Sequence, residues 1–282
     1  MKHSTILYSL LIACSSLAEA ASISDRSYKS CSNTKLSRKV QKLQDSEGLC
    51  DSVVAAPTAK LHEKLADYTN EEVVSACCCI LYNCPNTCDA KNRGLDVALY
   101  SNPFTFAYPD YPSMKFESFA TATPVGVSKA NYLGSGNTAS IYGLTSPTGS
   151  TYALNFRGYF LCPKTQQYDI KVHNADDTVA VWLNEPAICN WDRKTAALFS
   201  VWLYPLQTAK FSCKQGQFVP IRIVWANQAG PRGWNFNLYG ADGVTYIKDQ
   251  TATTHLWGRS PHSKTPKFKG KFGAEKNSAG SN

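Results

Sequence analysis

The stretch Tyr168-Asp169-Ile170-Lys171-Val172-His173-Asn174-Ala175-Asp176-Asp177-Thr178-Val179-Ala180-Val181-Trp182-Leu183 decides the fold. Its first half alternates: Tyr168, Ile170 and Val172 against Asp169, Lys171 and His173. Successive side chains of a strand point to opposite faces, so this half predicts a strand with one buried and one wetted face. The second half does not alternate. Val179 to Leu183 is apolar on both faces and predicts a central strand covered on both sides. Two adjacent carboxylates, Asp176 and Asp177, stand at the junction.

Period-two patterning continues outward. Tyr152, Leu154 and Phe156 alternate with Ala153, Asn155 and Arg157, and Trp234, Phe236 and Leu238 with Asn235, Asn237 and Tyr239. Ile221, Ile223 and Trp225 alternate with Arg222 and Val224, and Ala197 to Tyr204 reads as a further strand. Many short strands with turn residues between them predict a mainly β fold, an antiparallel β-sandwich, over residues 93–250. Residues 21–92 follow a different rule. Leu36, Val40 and Leu43 recur at helical spacing, as do Leu61 and Leu65, and Thr69 with Glu72 forms a capping box. This predicts a small helical module.

The first twenty residues combine a basic start, an apolar run from Ile6 to Ala13 and the small-x-small pattern Ala18-Glu19-Ala20, which predicts a cleaved signal peptide over 1–20 and an extracellular protein. No later run reaches the length of a membrane span. Removing the signal removes Cys14 and leaves ten cysteines: Cys31, Cys50, Cys77, Cys78, Cys79, Cys84 and Cys88 early, Cys162, Cys189 and Cys213 late. Exported cysteines in even number predict disulfides. Both subsets are odd, so if every thiol is paired, at least one bond joins the helical module to the sandwich. A zinc cluster at Cys77-Cys78-Cys79 with Cys84 and Cys88 matches no familiar spacing.

The formal charge of +8 is concentrated at the end of the chain. From Arg259 onward six basic residues face only Glu275, in a stretch rich in Gly, Ser, Pro and Lys. Residues 251–282 therefore read as a basic, disordered, solubilising tail rather than a nucleic-acid surface.

Two carboxylates balance one divalent cation. Calcium takes six to eight oxygens from carboxylates, amides, backbone carbonyls and water. A second loop, Ala226-Asn227-Gln228-Ala229-Gly230-Pro231-Arg232-Gly233, offers the Asn227 amide and a Gly/Pro-rich backbone that can turn carbonyls inward. No catalytic pattern competes. Glycoside hydrolysis needs two carboxyl groups about 5–9.5 Å apart across a cleft, whereas Asp176 and Asp177 are adjacent. Glu185 and Asp192 have no spacing that singles them out, the histidines are scattered, and no nucleophile elbow, His-Glu-x-x-His or phosphate loop is present. Trp182, inside an apolar run, reads as core. Trp191, in a loop beside Cys189, is a candidate for stacking on a ligand, and Asp192 with Arg193 reads as a local ion pair.

At these residues the sequence resembles a known family. Gly94-Leu95-Asp96-Val97-Ala98 resembles the signature of the fungal GLEYA adhesins, with Asp96 and Val97 replacing Glu and Tyr. Asn155 to Phe160 and Asp169 to Leu183 resemble that family's core and the wider lectin-like protective-antigen and flocculin superfamily. The resemblance spans about residues 94–245. It implies an adjacent Asp pair joined by a cis peptide, a calcium ion held by Asp176, Asp177, Asn227 and backbone carbonyls near Ala229 and Pro231, and sugar hydroxyls coordinated directly to the ion. Asp176, Asp177, Asn227 and Trp191 are then the expected ligand-contacting residues, and cell-surface or cell-wall glycans the expected partners. The expected function is that of a secreted, calcium-dependent carbohydrate-binding adhesin. The alternative is a structural or self-associating cell-wall protein on the same fold.

Overall fold

The computed structural model describes residues 35–43, 49–50, 63–69, 72–73, 76–77, 92–104, 111, 114–134, 140–145, 151–189, 191–202, 204–228, 233–260 and 265–275. The signal stretch, Cys31, Cys78, Cys79, Cys84, Cys88, Ala229 and Pro231 lie outside them. Helix α1 (Lys35–Gln41) opens the described chain. Strands follow in order: β1 (Leu95–Ser101), β2 (Gly126–Ala130), β3 (Ser140–Ile141), β4 (Leu144–Thr145), β5 (Tyr152–Leu161), β6 (Gln166–Asp176) and β7 (Thr178–Leu183). After the short helix α2 (Glu185–Cys189) come β8 (Leu198–Val201), β9 (Gln207–Cys213), β10 (Phe218–Asn227), β11 (Gly233–Gly240), β12 (Thr245–Ile247) and β13 (Leu256–Trp257).

Two antiparallel sheets form the sandwich. The larger has the order β2-β1-β5-β10-β7-β8, and the smaller β12-β11-β6-β9. β13 extends the line of β1: β1 pairs with Tyr152–Arg157 of β5, and β13 with Tyr159 and Phe160. Gly158 lies at the changeover, where an added Cβ would collide with the Trp257 carbonyl oxygen.

The patterning of the strands follows their position. β6, β9 and β11 alternate, with one face on the core and one toward solvent. β5, β7 and β10 are buried at every position, because the larger sheet is covered twice. Its inner face joins the smaller sheet through Leu154, Phe156, Ile223 and Trp225 against Ile170, Val172, Trp234 and Phe236. Its outer face carries two further apolar clusters. One packs Val40, Cys50, Leu65, Val73 and Cys77 of the helical module on Tyr159, Phe218 and Trp257. The other gathers Phe116, Phe119, Trp182 and Trp191.

Two disulfides are described. Cys162–Cys213 links the end of β5 in one sheet to the end of β9 in the other, closing a 51-residue separation, which stabilises by about 4 kcal/mol on the chain-entropy model. Cys50–Cys77 staples the helical module. The reciprocal capping box is present: the Glu72 amide donates to Thr69 Oγ1 at 3.2 Å, and the Thr69 amide to Glu72 Oε2 at 2.8 Å. With Cys162 bonded to Cys213, Cys189 is the remaining late cysteine. Its Sγ lies 3.8 Å from the Glu185 carbonyl oxygen, and the early cysteines that parity would offer it, Cys31, Cys78, Cys79, Cys84 and Cys88, lie outside the described residues.

The basic tail departs from the sequence expectation. Leu256 and Trp257 are fully buried in the larger sheet, and residues 265–275 lie as a strap over its outer face. The reason is a charge problem inside the sheet. Arg157 and Arg222 sit directly opposite each other on β5 and β10, and like charges across a strand pair repel. Glu275 at the end of the strap ion-pairs with both, at 3.2 Å to Arg157 and more closely to Arg222. Arg157 Nη2 also donates to the Gly270 carbonyl at 3.1 Å, and the guanidinium stacks 4.0 Å from the Phe272 ring. The Tyr159 hydroxyl donates to the Pro266 carbonyl at 2.8 Å. His255, just before β13, packs on Phe160 and Tyr246, and burial holds it down to about 4.

Candidate metal and ligand site

The chain crosses between the sheets twice at one edge of the sandwich. β6 of the smaller sheet passes into β7 of the larger at Asp176-Asp177, and β10 of the larger sheet passes into β11 of the smaller through residues 228–232. Pairing sets the crossings side by side: Thr178 opposes Ala226, Asn227 opposes Tyr152, and Asp176 opposes Gly233. The described ends of the second loop that the sequence offers to the Asp pair, Ala226 to Gln228 and Gly233, are thus its neighbours in space.

The Asp176–Asp177 peptide is cis, the geometry that the resemblance implies. The pair is tied at three backbone points and one carboxylate. The Asp177 amide donates to the Ala226 carbonyl at 3.2 Å, and the Trp202 amide to the Asp177 carbonyl at 2.7 Å. Trp225 Nε1 donates to the Asp176 carbonyl at 3.0 Å, and the Gln228 amide to Asp177 Oδ2 at 2.7 Å. Asn227 is fully buried at the end of β10, and its carbonyl accepts from Asn102 Nδ2 at 3.2 Å. The Thr151 hydroxyl donates to the Gln228 carbonyl.

Both carboxylates are partly exposed and close enough to hydrogen-bond each other. Partial burial and then the charge of Asp177 push Asp176 up to about 6. Burial raises Asp177 as well, opposed by the Gln228 amide that bonds its charged form. Among the described residues neither carboxylate has an ion pair with Lys, Arg or His. No group of three His, Cys, Asp or Glu is placed to hold a metal among them. The candidate donors expected from the sequence are instead two carboxylates, the Asn227 amide and backbone oxygens. This set is all-oxygen and hard, suits calcium better than zinc or copper, and carries the two negative charges that a divalent cation balances.

Other predicted residues fall elsewhere. Trp191 is fully buried and stacks 4.0 Å over the Arg222 guanidinium, with its ring 6.1 Å from Trp182. It is core, because the sheet's buried arginine needs an aromatic face, and it cannot line a binding rim. Asp192 makes no ion pair with Arg193. Its carboxylate caps a short helical turn by accepting from the amides of Lys194 and Thr195, while Arg193 stacks on Phe199.

Trp202 is a residue the sequence reading missed. The strand expected over Ala197 to Tyr204 ends at Val201, and the next residue leaves the sheet. Trp202 is 47% exposed, while its amide is bonded to Asp177. A residue with an open indole is therefore bonded through its backbone to the Asp pair. Its sequence signal was an aromatic three residues before Pro205, a turn residue that an eight-residue strand would not hold.

Residues 152–240 match the GLEYA domain. That match runs from the first residue of β5 to the last of β11 and contains both sheet crossings. Among curated proteins, the "Putative cell agglutination protein pfl4" of Schizosaccharomyces pombe is 26% identical over 170 residues, covering 56% of this chain and 28% of its own. A second S. pombe protein of the same description, SPAPB2C8.01, is 32% identical over 89 residues, covering 29% of this chain and 7% of its own. The chain thus spans less than a third of either relative. Among solved structures, the epithelial adhesin 6 A domain of Candida glabrata, in complex with Galb1-3GlcNAc, aligns at 17% identity with a TM-score of 0.48, covering 64% of this chain and 94% of that one. A PA14 sugar-binding domain from an RTX adhesin aligns at 12% identity with a TM-score of 0.41, covering 58% and 99%.

Proposed function

We propose that this protein is an extracellular, calcium-dependent carbohydrate-binding adhesin that works without catalysis. The observation that carries the reading is the pair Asp176 and Asp177 on one sheet crossing, held against the Asn227 end of the other. Two carboxylates without a protein counter-charge among the described residues favour a divalent cation at that edge. The GLEYA match and the agglutination descriptions of the relatives support an adhesive role at a cell surface or cell wall.

In this reading Asp176, Asp177 and the Asn227 amide hold calcium, with carbonyls of the 228–232 loop, including Ala229 and Pro231, as further ligands. Bound calcium supplies open coordination positions to vicinal hydroxyls of a sugar. The chain's own part is orientation. The Gln228 amide fixes the Asp177 carboxylate, the Trp225 indole fixes the Asp176 carbonyl, and the Trp202 indole offers an apolar face to the pyranose ring. A glycan array with calcium, with chelator and with Asp177→Ala tests the reading. Binding in calcium alone is expected. Glycan binding that survives both chelator and Asp177→Ala overturns it.

A further inference from the structure

β6 does not reach the Asp pair in register. Asn235 of β11 opposes His173, but Gly233 opposes Asp176, so two steps along β11 match three along β6. The extra residue forms a β-bulge, and Asn174 within it has φ of +52°. The bulge resets the alternation. Tyr168, Ile170 and Val172 point into the core, His173 and Asn174 both lie on the outer side, and Ala175 points in. Without the insertion, strict alternation would send residues 174 and 176 inward, toward the inter-sheet core with Trp225 and Trp234. The bulge therefore decides that the Asp176 carboxylate lies outside the core.

A chain of side chains anchors this bulge. Asn174 Nδ2 donates to Asn235 Oδ1 at 3.0 Å, and Asn235 Nδ2 donates to Asp249 Oδ2 at 2.6 Å. Asp249 is fixed in turn. Its Oδ1 accepts from the Phe236 amide at 3.0 Å, its Oδ2 from Gln250 Nε2 at 3.1 Å, and its own amide donates to Asn237 Oδ1 at 3.0 Å. Asn tolerates the left-handed backbone that β-branched residues avoid.

We propose that Asn174, Asn235 and Asp249 are positioning residues, a relay that sets the bulge and with it the phase of the two-carboxylate site. The inference rests on the calcium reading above for its functional weight and on the bulge alone for its structure. Outer partners of this kind tune metal affinity by ~10-fold or more.

The test measures calcium affinity by titration calorimetry with calcium chloride alone, and the Gln228 amide and Trp225 indole resonances of the calcium-free protein. Those two protons report the Asp177 carboxylate and the Asp176 carbonyl. Asn174→Val, which opposes the left-handed backbone and removes the amide, is expected to weaken calcium by ~10-fold and move both resonances. Asn174→Gly keeps the backbone and loses only the link, so it should fall between wild type and Asn174→Val. Asn235→Ala, which leaves the bulge residue itself intact, should behave like Asn174→Gly and stands in if Asn174→Val does not fold. Wild-type affinity and unmoved resonances in Asn174→Val and Asn235→Ala overturn the relay. If wild-type protein binds no calcium, the calcium reading fails, and the resonances alone decide the relay by the same ranking.

Discussion

The sandwich contains two pairs of like charge, and they are handled in opposite ways. Arg157 and Arg222 face each other inside the larger sheet, and the strap brings Glu275 to lie against both. Asp176 and Asp177 sit at an edge, with no counter-charge among the described residues. The difference separates structure from recognition. A buried pair left uncompensated is strongly destabilising, and here the chain supplies its own neutralising group. A partly exposed pair is tolerable without one, and in the proposed calcium reading its charge is met by the ion.

The strongest way to break the comparison is to unbalance the buried pair. Glu275→Ala leaves two guanidinium groups desolvated around no anion and is expected to cost about 3–5 kcal/mol. Chemical denaturation checks it. A loss below about 1 kcal/mol would mean that the strap is decoration and the pair is stable alone. Next in size, Asp176→Asn removes the repulsion at the edge. It should abolish calcium binding and yet raise the stability of the calcium-free fold, by about 1 kcal/mol because solvent screens much of the effect. Thermal melts in chelator, with and without the substitution, read that opposite pair of signs.

Acidity sharpens the contrast further. The Asp176 carboxyl titrates in the fold at about 6, above its ordinary 3.8. Its contribution to the calcium-free fold is therefore fully present below about pH 4 and lost as pH rises through about 6. Calcium needs the ionised form, so affinity should run the other way and weaken as pH falls below about 6. Calorimetric titration at pH 7 and pH 5 distinguishes the two slopes. A calcium affinity unchanged between those values would contradict the raised carboxyl. The smallest effect is expected at Trp202→Ala. Loss of an open stacking face should cost about 0.5–1.5 kcal/mol of glycan affinity, while calcium affinity and stability hold. An affinity for glycan that does not change removes the indole from the site.

The parts of this arrangement that were legible in sequence are those governed by simple period. Tyr168, Ile170 and Val172 announced a one-sided strand, and Val179 to Leu183 a two-sided one, because solvent exposure alternates with the pleat. The Asp pair and the Asn227 loop could be picked out because their residue types suit a hard cation. The bulge at Asn174 could not, since an inserted residue looks like the end of a strand until its partner strand is known. Trp202 was lost inside an apolar run whose strand stops one residue earlier. Trp191 was misplaced because nothing local announces that Arg222, thirty-one positions away, stacks on it. The strap was hidden by composition. Lys and Gly dominate residues 265–275, but Phe268, Phe272 and Glu275 are spaced to meet the arginines, and that need arises only after β5 and β10 pair.

The Cys162–Cys213 bond has a mechanical consequence. β5 starts beside Asn227 and ends next to Cys162, and β6 starts beside Cys213 and ends at Asp176. The covalent tie and the carboxylate pair thus occupy opposite ends of the same two strands, about 30–35 Å apart at strand rise. The main chain already ties the sheets at the acidic end, where β6 runs into β7 and β10 into β11, and the cystine fastens the end opposite. The sandwich is thus clamped at both ends of the same two strands, and the carboxylate pair sits on a hinge that has little room to open.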